Sequence, residues 1–145
     1  MKIDLLCLGH RMPAWVNEGY HEYAKRLPAT CSLNLVEIPL RKRSNSNELA
    51  RLQRQEGEQM LAAIASSAYV IALDERGQVW DSLQLARQLA RWQREYHTVA
   101  LLVGGPEGLS PACLQRAQHQ WSLSALTLPH QLVRIMVAEQ LYRAW

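Results

Sequence analysis

The sequence predicts a single-domain α/β fold, with a mostly parallel sheet of five or six strands flanked by helices. Three observations predict it. Short aliphatic runs alternate with longer segments of helical periodicity along the whole chain. The 145 residues suffice for one domain with its own core, and no linker, repeat or low-complexity stretch divides them. The clearest strand, residues 99–103, runs straight into the turn Gly104-Gly105-Pro106-Glu107-Gly108. Open α/β sheets place their ligands at that end of a strand.

Each element has its own warrant. Residues 3–8 read as a buried strand ending at Gly9. Pro13 suits the start of a helix, where a missing N–H leaves no bond unmade. Trp15, Val16, Tyr20, Tyr23 and Leu27 then recur near helical spacing until Pro28. Residues 33–38 form a second strand, closed by Pro39, and a polar, basic loop follows at 41–47, in which Ser46 or Asn47 could cap the next helix. That helix carries Leu49, Leu52, Met60, Ala63 and Ile64 on one side and reaches about residue 66. Residues 69–73 are a third strand and 74–77 a turn, after which Asp81 or Ser82 caps a helix carrying Leu85, Leu89 and Trp92. The 99–103 strand precedes Ser110-Pro111, a cap followed by a helix-opening proline. Residues 121–123 make a short fifth strand and 132–145 a last helix. Alternation of this kind indicates right-handed crossovers between parallel strands.

The last helix is apolar on two sides. Val133, Val137 and Leu141 form one stripe; Leu132, Ile135, Met136 and Tyr142 form another. A helix apolar on two sides is buried on two sides. One side can meet the sheet. The other meets a second subunit, unless the helix is central to a monomer core. With Val137 on the outward stripe, a charge there is expected to dissociate or unfold the dimer.

Bulk properties exclude several classes. Hydrophobic content of 48% and charged content of 20% are those of an ordinary globular domain. No apolar run approaches the length of a membrane span, and no secretory leader is expected. Cys7, Cys31 and Cys113 are scattered and form no Cys-x-x-Cys pair, so neither a disulfide framework nor a zinc site is expected. These features point to the cytoplasm. The net charge is only +3, but it is unevenly spread. Lys25, Arg26, Arg41, Lys42, Arg43, Arg51 and Arg54 stand against Glu37 and Glu48, which gives +5 there and leaves −2 for the rest. A phosphate-facing surface would carry such asymmetry, and so would a solvated loop and helix face. No G-x-G-x-x-G follows the first strand, which continues as Gly9-His10-Arg11-Met12, and no Gly-Lys-Ser/Thr occurs. A Rossmann oxidoreductase and a Walker-type phosphate binder are therefore disfavoured.

Two segments carry the candidate chemistry. One is the turn at 104–108. The other, Leu123-Ser124-Ala125-Leu126-Thr127-Leu128-Pro129-His130, offers little side-chain chemistry beyond two hydroxyls. A ligand held there would be held by backbone N–H and C=O groups, as suits a flat heteroaromatic ring. Glycines at 104 and 105 would let main chain approach the ligand closely. Glu107 and His130 are titratable neighbours, but each also has an ordinary structural role near a helix start, and neither is assigned as a catalytic base.

These two segments, together with Lys2-Ile3-Asp4-Leu5, Met12-Pro13-Ala14-Trp15-Val16, Glu56-Gly57-Glu58-Gln59-Met60-Leu61, Leu73-Asp74, Trp121-Ser122 and Glu139-Gln140-Leu141-Tyr142-Arg143-Ala144-Trp145, resemble the SPOUT class of RNA methyltransferases. Within it the chain resembles the ribosomal RNA large subunit methyltransferase H family, over nearly its whole length. The resemblance implies a trefoil α/β knot, which periodicity alone does not reveal. It implies S-adenosylmethionine as cofactor, with contacts at Leu73, Gly104, Leu123, Ser124, Ala125, Leu126, Thr127 and Leu128, and Gly105 as a neighbour. It implies methyl transfer to N3 of a pseudouridine in 23S ribosomal RNA, in the large subunit or assembled ribosome, by a homodimer. No metal, membrane or DNA partner is expected. Arg41, Lys42 and Arg43 are the expected RNA contacts. Family members continue past Trp145 in a His/Pro/Tyr/His/Arg-type tail on the substrate side. Weak or undetectable transfer with near-normal cofactor binding is the expectation for a chain ending at Trp145. The alternative function is a knotted RNA- or nucleotide-binding module without turnover.

Overall fold

Strand β1 (Lys2–Leu8) has side chains buried on both faces from Ile3 onward. That is stable only when helices cover both sides of a parallel sheet. The computed structural model, which describes residues 1–40 and 48–145, has this arrangement. The remaining elements run α1 (Ala14–Ala24), a 3₁₀ turn (Ala29–Cys31), β2 (Ser32–Ile38), α2 (Leu49–Ala62), β3 (Tyr69–Val79), α3 (Ser82–Glu95), β4 (Thr98–Val103), α4 (Pro111–Arg116), β5 (His119–Ser122) and α5 (His130–Ala144). Among the described residues there are five strands, all parallel, in the order β2-β1-β4-β3-β5.

Alternation along the strands divides the interior into two cores. Ile3, Leu5, Cys7, Val99 and Leu101 share one core with Tyr20, Leu85, Leu89, Trp92, Val137 and Leu141, so α1, α3 and α5 cover that face. Leu6, Leu8, Ala100 and Leu102 share the other with Met60 and Cys113, beneath α2 and α4. The helices begin where local chemistry says. Asp81 accepts the Gln84 N–H at 2.7 Å, and the Gln84 side chain accepts the Asp81 N–H at 2.8 Å, closing a capping box. Ser110 caps α4, with Pro111 at its first position. Gly57 lets α4 settle on α2, because a Cβ there would lie 2.3 Å from Ser110 Oγ.

Several expectations are corrected. The third strand does not end at Leu73. It runs to Val79, and residues 74–77 form an irregularity inside it: Leu73 and Gln78 both register with Trp121. The cause is local. Asp74 Oδ1 accepts the Arg76 N–H at 2.8 Å, a short-range bond within the residues that interrupt the pairing. The fifth strand begins at His119 rather than Trp121, and α5 begins at His130 rather than Leu132. Helix α1 stops at Ala24 and α2 at Ala62, both shorter than their periodicity suggested, although Leu27 remains buried. Trp15 is 51% exposed, not part of the α1 core stripe. Val137 is fully buried against the sheet, so a charge there tests folding rather than assembly. Ile135 packs on α1 at Gly19, while Leu132 and Tyr142 are the exposed apolar residues of α5. Both residues considered as caps for α2, Ser46 and Asn47, and the basic Arg41, Lys42 and Arg43 lie outside the described residues.

An apolar helix also hides a charge. Arg134 of α5 is 1% exposed and donates to Glu37 of β2 at 3.0 Å. This ties the last helix across the sheet face to the β2 edge. All three cysteines are free and buried, and burial pushes the Cys7 thiol up to about 12, so it packs rather than reacts.

Candidate cofactor site

The carboxyl ends of β3, β4 and β5 are adjacent in the sheet, and each continues into a loop at the same edge. Between these loops lies a cavity of about 830 Å³. Its walls come from Leu73 to Arg76, from Val103 to Leu109, and from Trp121 through the 123–128 segment to His130 and Val133. Of the residues expected at the site, Leu73, Gly104, Gly105, Leu123, Ser124, Leu126, Thr127 and Leu128 line it. Ala125 belongs to the same segment but does not line the cavity. The volume falls in the range of small-molecule sites, and most of the wall is aliphatic or main chain.

Each loop is braced from outside. The Gly105–Gly108 turn closes on a 2.9 Å bond from the Gly108 N–H to the Gly105 carbonyl, and Gly108 holds a φ of +79° that favours glycine. A Cβ on Gly104 would lie 2.5 Å from the Gly108 carbonyl carbon, and one on Gly105 would meet Leu40 and Leu8. The two glycines therefore serve the folding of the loop upon itself and its packing on β1 and the chain after β2.

Gln53, on α2, was not signalled by the sequence. Its Nε2 donates to the Glu107 carbonyl at 3.0 Å and lies 3.4 Å from the carbonyls of Gly108 and Leu109. Gln53→Ala should leave the fold intact and weaken ligand binding by roughly three- to tenfold, because three carbonyls lose their common donor. Titration calorimetry on the folded variant checks this.

The 123–128 segment is organised by its own hydroxyls. Ser122 Oγ donates to the Ser124 carbonyl at 2.8 Å, and the Leu126 N–H donates to Ser124 Oγ at 2.9 Å. Thr127 Oγ1 donates to Glu75 Oε2 at 2.9 Å, tying this segment to the irregular part of β3. Among the described residues, the N–H groups of Ala125, Thr127 and Leu128 have no partner within the chain. The loop thus spends its side chains on holding shape and leaves main-chain donors available.

Charge at the rim is specific. Arg76 grips Asp74 through Nε and Nη2, both at 3.0 Å, and this holds the Asp74 carboxyl below its ordinary range. Burial, and then the Arg134 guanidinium, push the His130 imidazole below its usual pKa, so it is neutral near pH 7. Among the described residues no cluster of His, Cys, Asp and Glu could hold a metal ion, and no helix is long and apolar enough to cross a membrane.

Comparison with known proteins decides the family. The family model described as "Predicted SPOUT methyltransferase" matches residues 1–145. The chain belongs to the SPOUT methyltransferase family. Curated relatives include "Ribosomal RNA large subunit methyltransferase H" of Methylococcus capsulatus and of Pseudomonas aeruginosa, each 55% identical over 145 residues, and that of Pseudomonas putida at 54%. In each case all of this chain and 94% of the relative are covered. A crystal structure described as a probable methyltransferase from Bordetella pertussis matches the fold at a TM-score of 0.59, covering 98% of this chain and 93% of that one. At 17% identity that likeness speaks for the fold alone. A SPOUT methyltransferase thus carries, at the carboxyl ends of three parallel strands, the two segments that stood out in the sequence.

Proposed function

We propose that this chain uses S-adenosylmethionine to methylate N3 of a pseudouridine in 23S ribosomal RNA, in the large subunit or assembled ribosome, as a cytoplasmic homodimer with the trefoil knot of its family. The observation that carries this reading is the match, at 54–55% identity over the full chain, to relatives named for ribosomal RNA large subunit methylation. The cavity supports it. Its residues suit the cofactor: the unpartnered N–H groups at Thr127 and Leu128 can meet the edge of an adenine, and Leu73, Leu123, Leu126 and Val133 supply apolar walls.

S-adenosylmethionine supplies a methyl group already activated on a sulfonium sulfur. The chain's task is then mainly placement. The braced 104–108 and 123–128 loops hold their walls rigidly, so that acceptor nitrogen, methyl carbon and sulfur can be aligned, which accounts for much of the rate in such transfers. The apolar walls exclude water. The N3 imide proton has to leave as the new N–C bond forms, and its acidity is moderate enough for solvent to receive it. The base must be unstacked to enter, which RNA loops make inexpensive.

Exposed apolar residues support the dimer: Trp15 and Leu132 lie at corresponding ends of the packed α1 and α5, and Tyr142 lies at the other end of α5. For RNA contact, the reading of Arg41, Lys42 and Arg43 rests on sequence charge.

The deciding experiment incubates the protein with labelled S-adenosylmethionine and ribosomes lacking the modification, then maps the product by mass spectrometry. Methyl incorporation at one pseudouridine of 23S RNA is expected. Cofactor binding with no incorporation would favour the binding module without turnover. Neutralising Arg41, Lys42 and Arg43 together should lower ribosome affinity on the order of tenfold and flatten its salt dependence, with cofactor affinity unchanged.

A further inference from the structure

The ionisable lining of the cavity is lopsided. Asp74, Glu75 and Glu107 contribute carboxylates to it, and Arg76 is the one Lys or Arg among the lining residues. Asp74 and Arg76 compensate one another through their paired contacts at 3.0 Å. Glu75 is different. Among the described residues it makes no close ion pair, Arg76 acting on it only at longer range, and its Oε2 accepts from the Thr127 hydroxyl at 2.9 Å. The backbone that carries it is also fixed. Gly77 presses so closely on β5 that a Cβ there would lie 2.6 Å from the carbonyl carbon of Gln120. The carboxylate is therefore a positioned negative charge at the mouth of the cavity.

We infer that Glu75 makes the cavity discriminate between charge states of its ligand, holding the sulfonium cofactor in preference to its neutral thioether product. This rests on the reading of the cavity as the S-adenosylmethionine site. In the transfer, the sulfur–methyl bond breaks and sulfur keeps the electron pair, becoming neutral. The acceptor nitrogen bonds the methyl carbon, and the nitrogen's proton passes to solvent. The cavity thus loses one positive charge at turnover. A fixed carboxylate stabilises only the state before it, which favours exchange of spent product for fresh cofactor. Because Glu75 is exposed to water, the effect is a few-fold rather than thousands-fold.

The test is calorimetric and needs no RNA. The parent chain and Glu75→Gln are titrated with S-adenosylmethionine, with S-adenosylhomocysteine, and with an analogue bearing an amine-substituted carbon in place of the sulfonium. Glutamine keeps the acceptor for Thr127 and the shape, and removes only the charge. The parent should prefer the two cationic ligands over the thioether. The variant should narrow that preference by roughly three- to fivefold, through weaker binding of the cations alone. Raising salt should narrow the parent's preference in the same direction. Thr127→Val, which keeps the charge and breaks the tie, should weaken all three ligands alike. An unchanged preference in Glu75→Gln overturns the inference, as does equal weakening of cations and thioether, which would make Glu75 a loop tie only. Should Glu75→Gln fail to fold, a parental preference unmoved by salt overturns it. A parent that binds none of the three ligands overturns the cofactor reading itself.

Discussion

Gly104→Val should abolish S-adenosylmethionine binding, by more than about 100-fold, while leaving a folded chain. The added Cβ would sit 2.5 Å from the Gly108 carbonyl carbon, 2.6 Å from the Leu109 nitrogen and 2.9 Å from the Gly108 Cα. All three are backbone atoms, so no flexible side-chain tip can swing away. The loop is pinned at its far side by the Gly108-to-Gly105 bond and by Gln53. Something must open, and the part free to open is the 105–109 wall of the cavity. Overpacking of this kind costs about 1–3 kcal/mol, within what a domain of this size tolerates. Gly105→Ala is the contrasting variant. Its Cβ would first meet Leu40 Cδ1 at 3.0 Å, a side-chain end that can yield, so binding should fall only a few-fold. Calorimetric titration alongside circular dichroism checks both. Full affinity in a folded Gly104→Val chain would remove the 104–109 turn from the site.

How much of this was legible in the sequence differs by the kind of signal. Strand and helix order was legible because residues 99–103 of β4 are an aliphatic run, β1 is apolar apart from Lys2 and Asp4, and caps such as Asp81 and Ser110 announce helix starts in local chemistry. The end of β3 was not. Asp-Glu-Arg-Gly reads as a turn, and only the Asp74–Arg76 bonds and the pairing partner β5 reveal that the strand resumes at Gln78. The two loops of the site were legible as an unusual glycine turn and a chemically bare segment. The side chains that brace them were not, because Gln53 and Glu75 lie 54 and 52 residues from the atoms they hold. No periodicity carries that information. The glycines were legible as a turn, but their packing against Gly108, Leu109 and Leu40 was not. The two stripes of α5 were read correctly as apolar, but which one faces the sheet depends on the three-dimensional position of Val137, and Arg134 interrupts the pattern with a buried charge that pairs 97 residues away.

That helix gives the second large effect, by comparing two charges placed on one element. Val137 is fully buried in the core shared by β1, β4 and α3, and the buried Arg134 three residues before it is already paired with Glu37. Leaving a carboxylate in such a site costs several kcal/mol, comparable to the whole stability of a small domain. Val137→Glu should therefore fail to fold, seen as loss of near-ultraviolet dichroism and of a cooperative melt. Leu132, five residues earlier, is 39% exposed on the outer side of the same helix. Leu132→Glu meets water in an isolated chain, so its fold and melting temperature in dilute solution should change little. If α1 and α5 form the face between two copies, the same glutamate is placed against an apolar partner surface, and the dimer should dissociate by at least about tenfold. Sedimentation at micromolar concentration separates the cases. A parent chain that sediments as a monomer would refute the homodimer, and a Leu132→Glu chain as tightly dimeric as the parent would place the exposed residues of α5 outside the interface. A well-folded Val137→Glu chain would mean that α5 is not packed on the sheet as described.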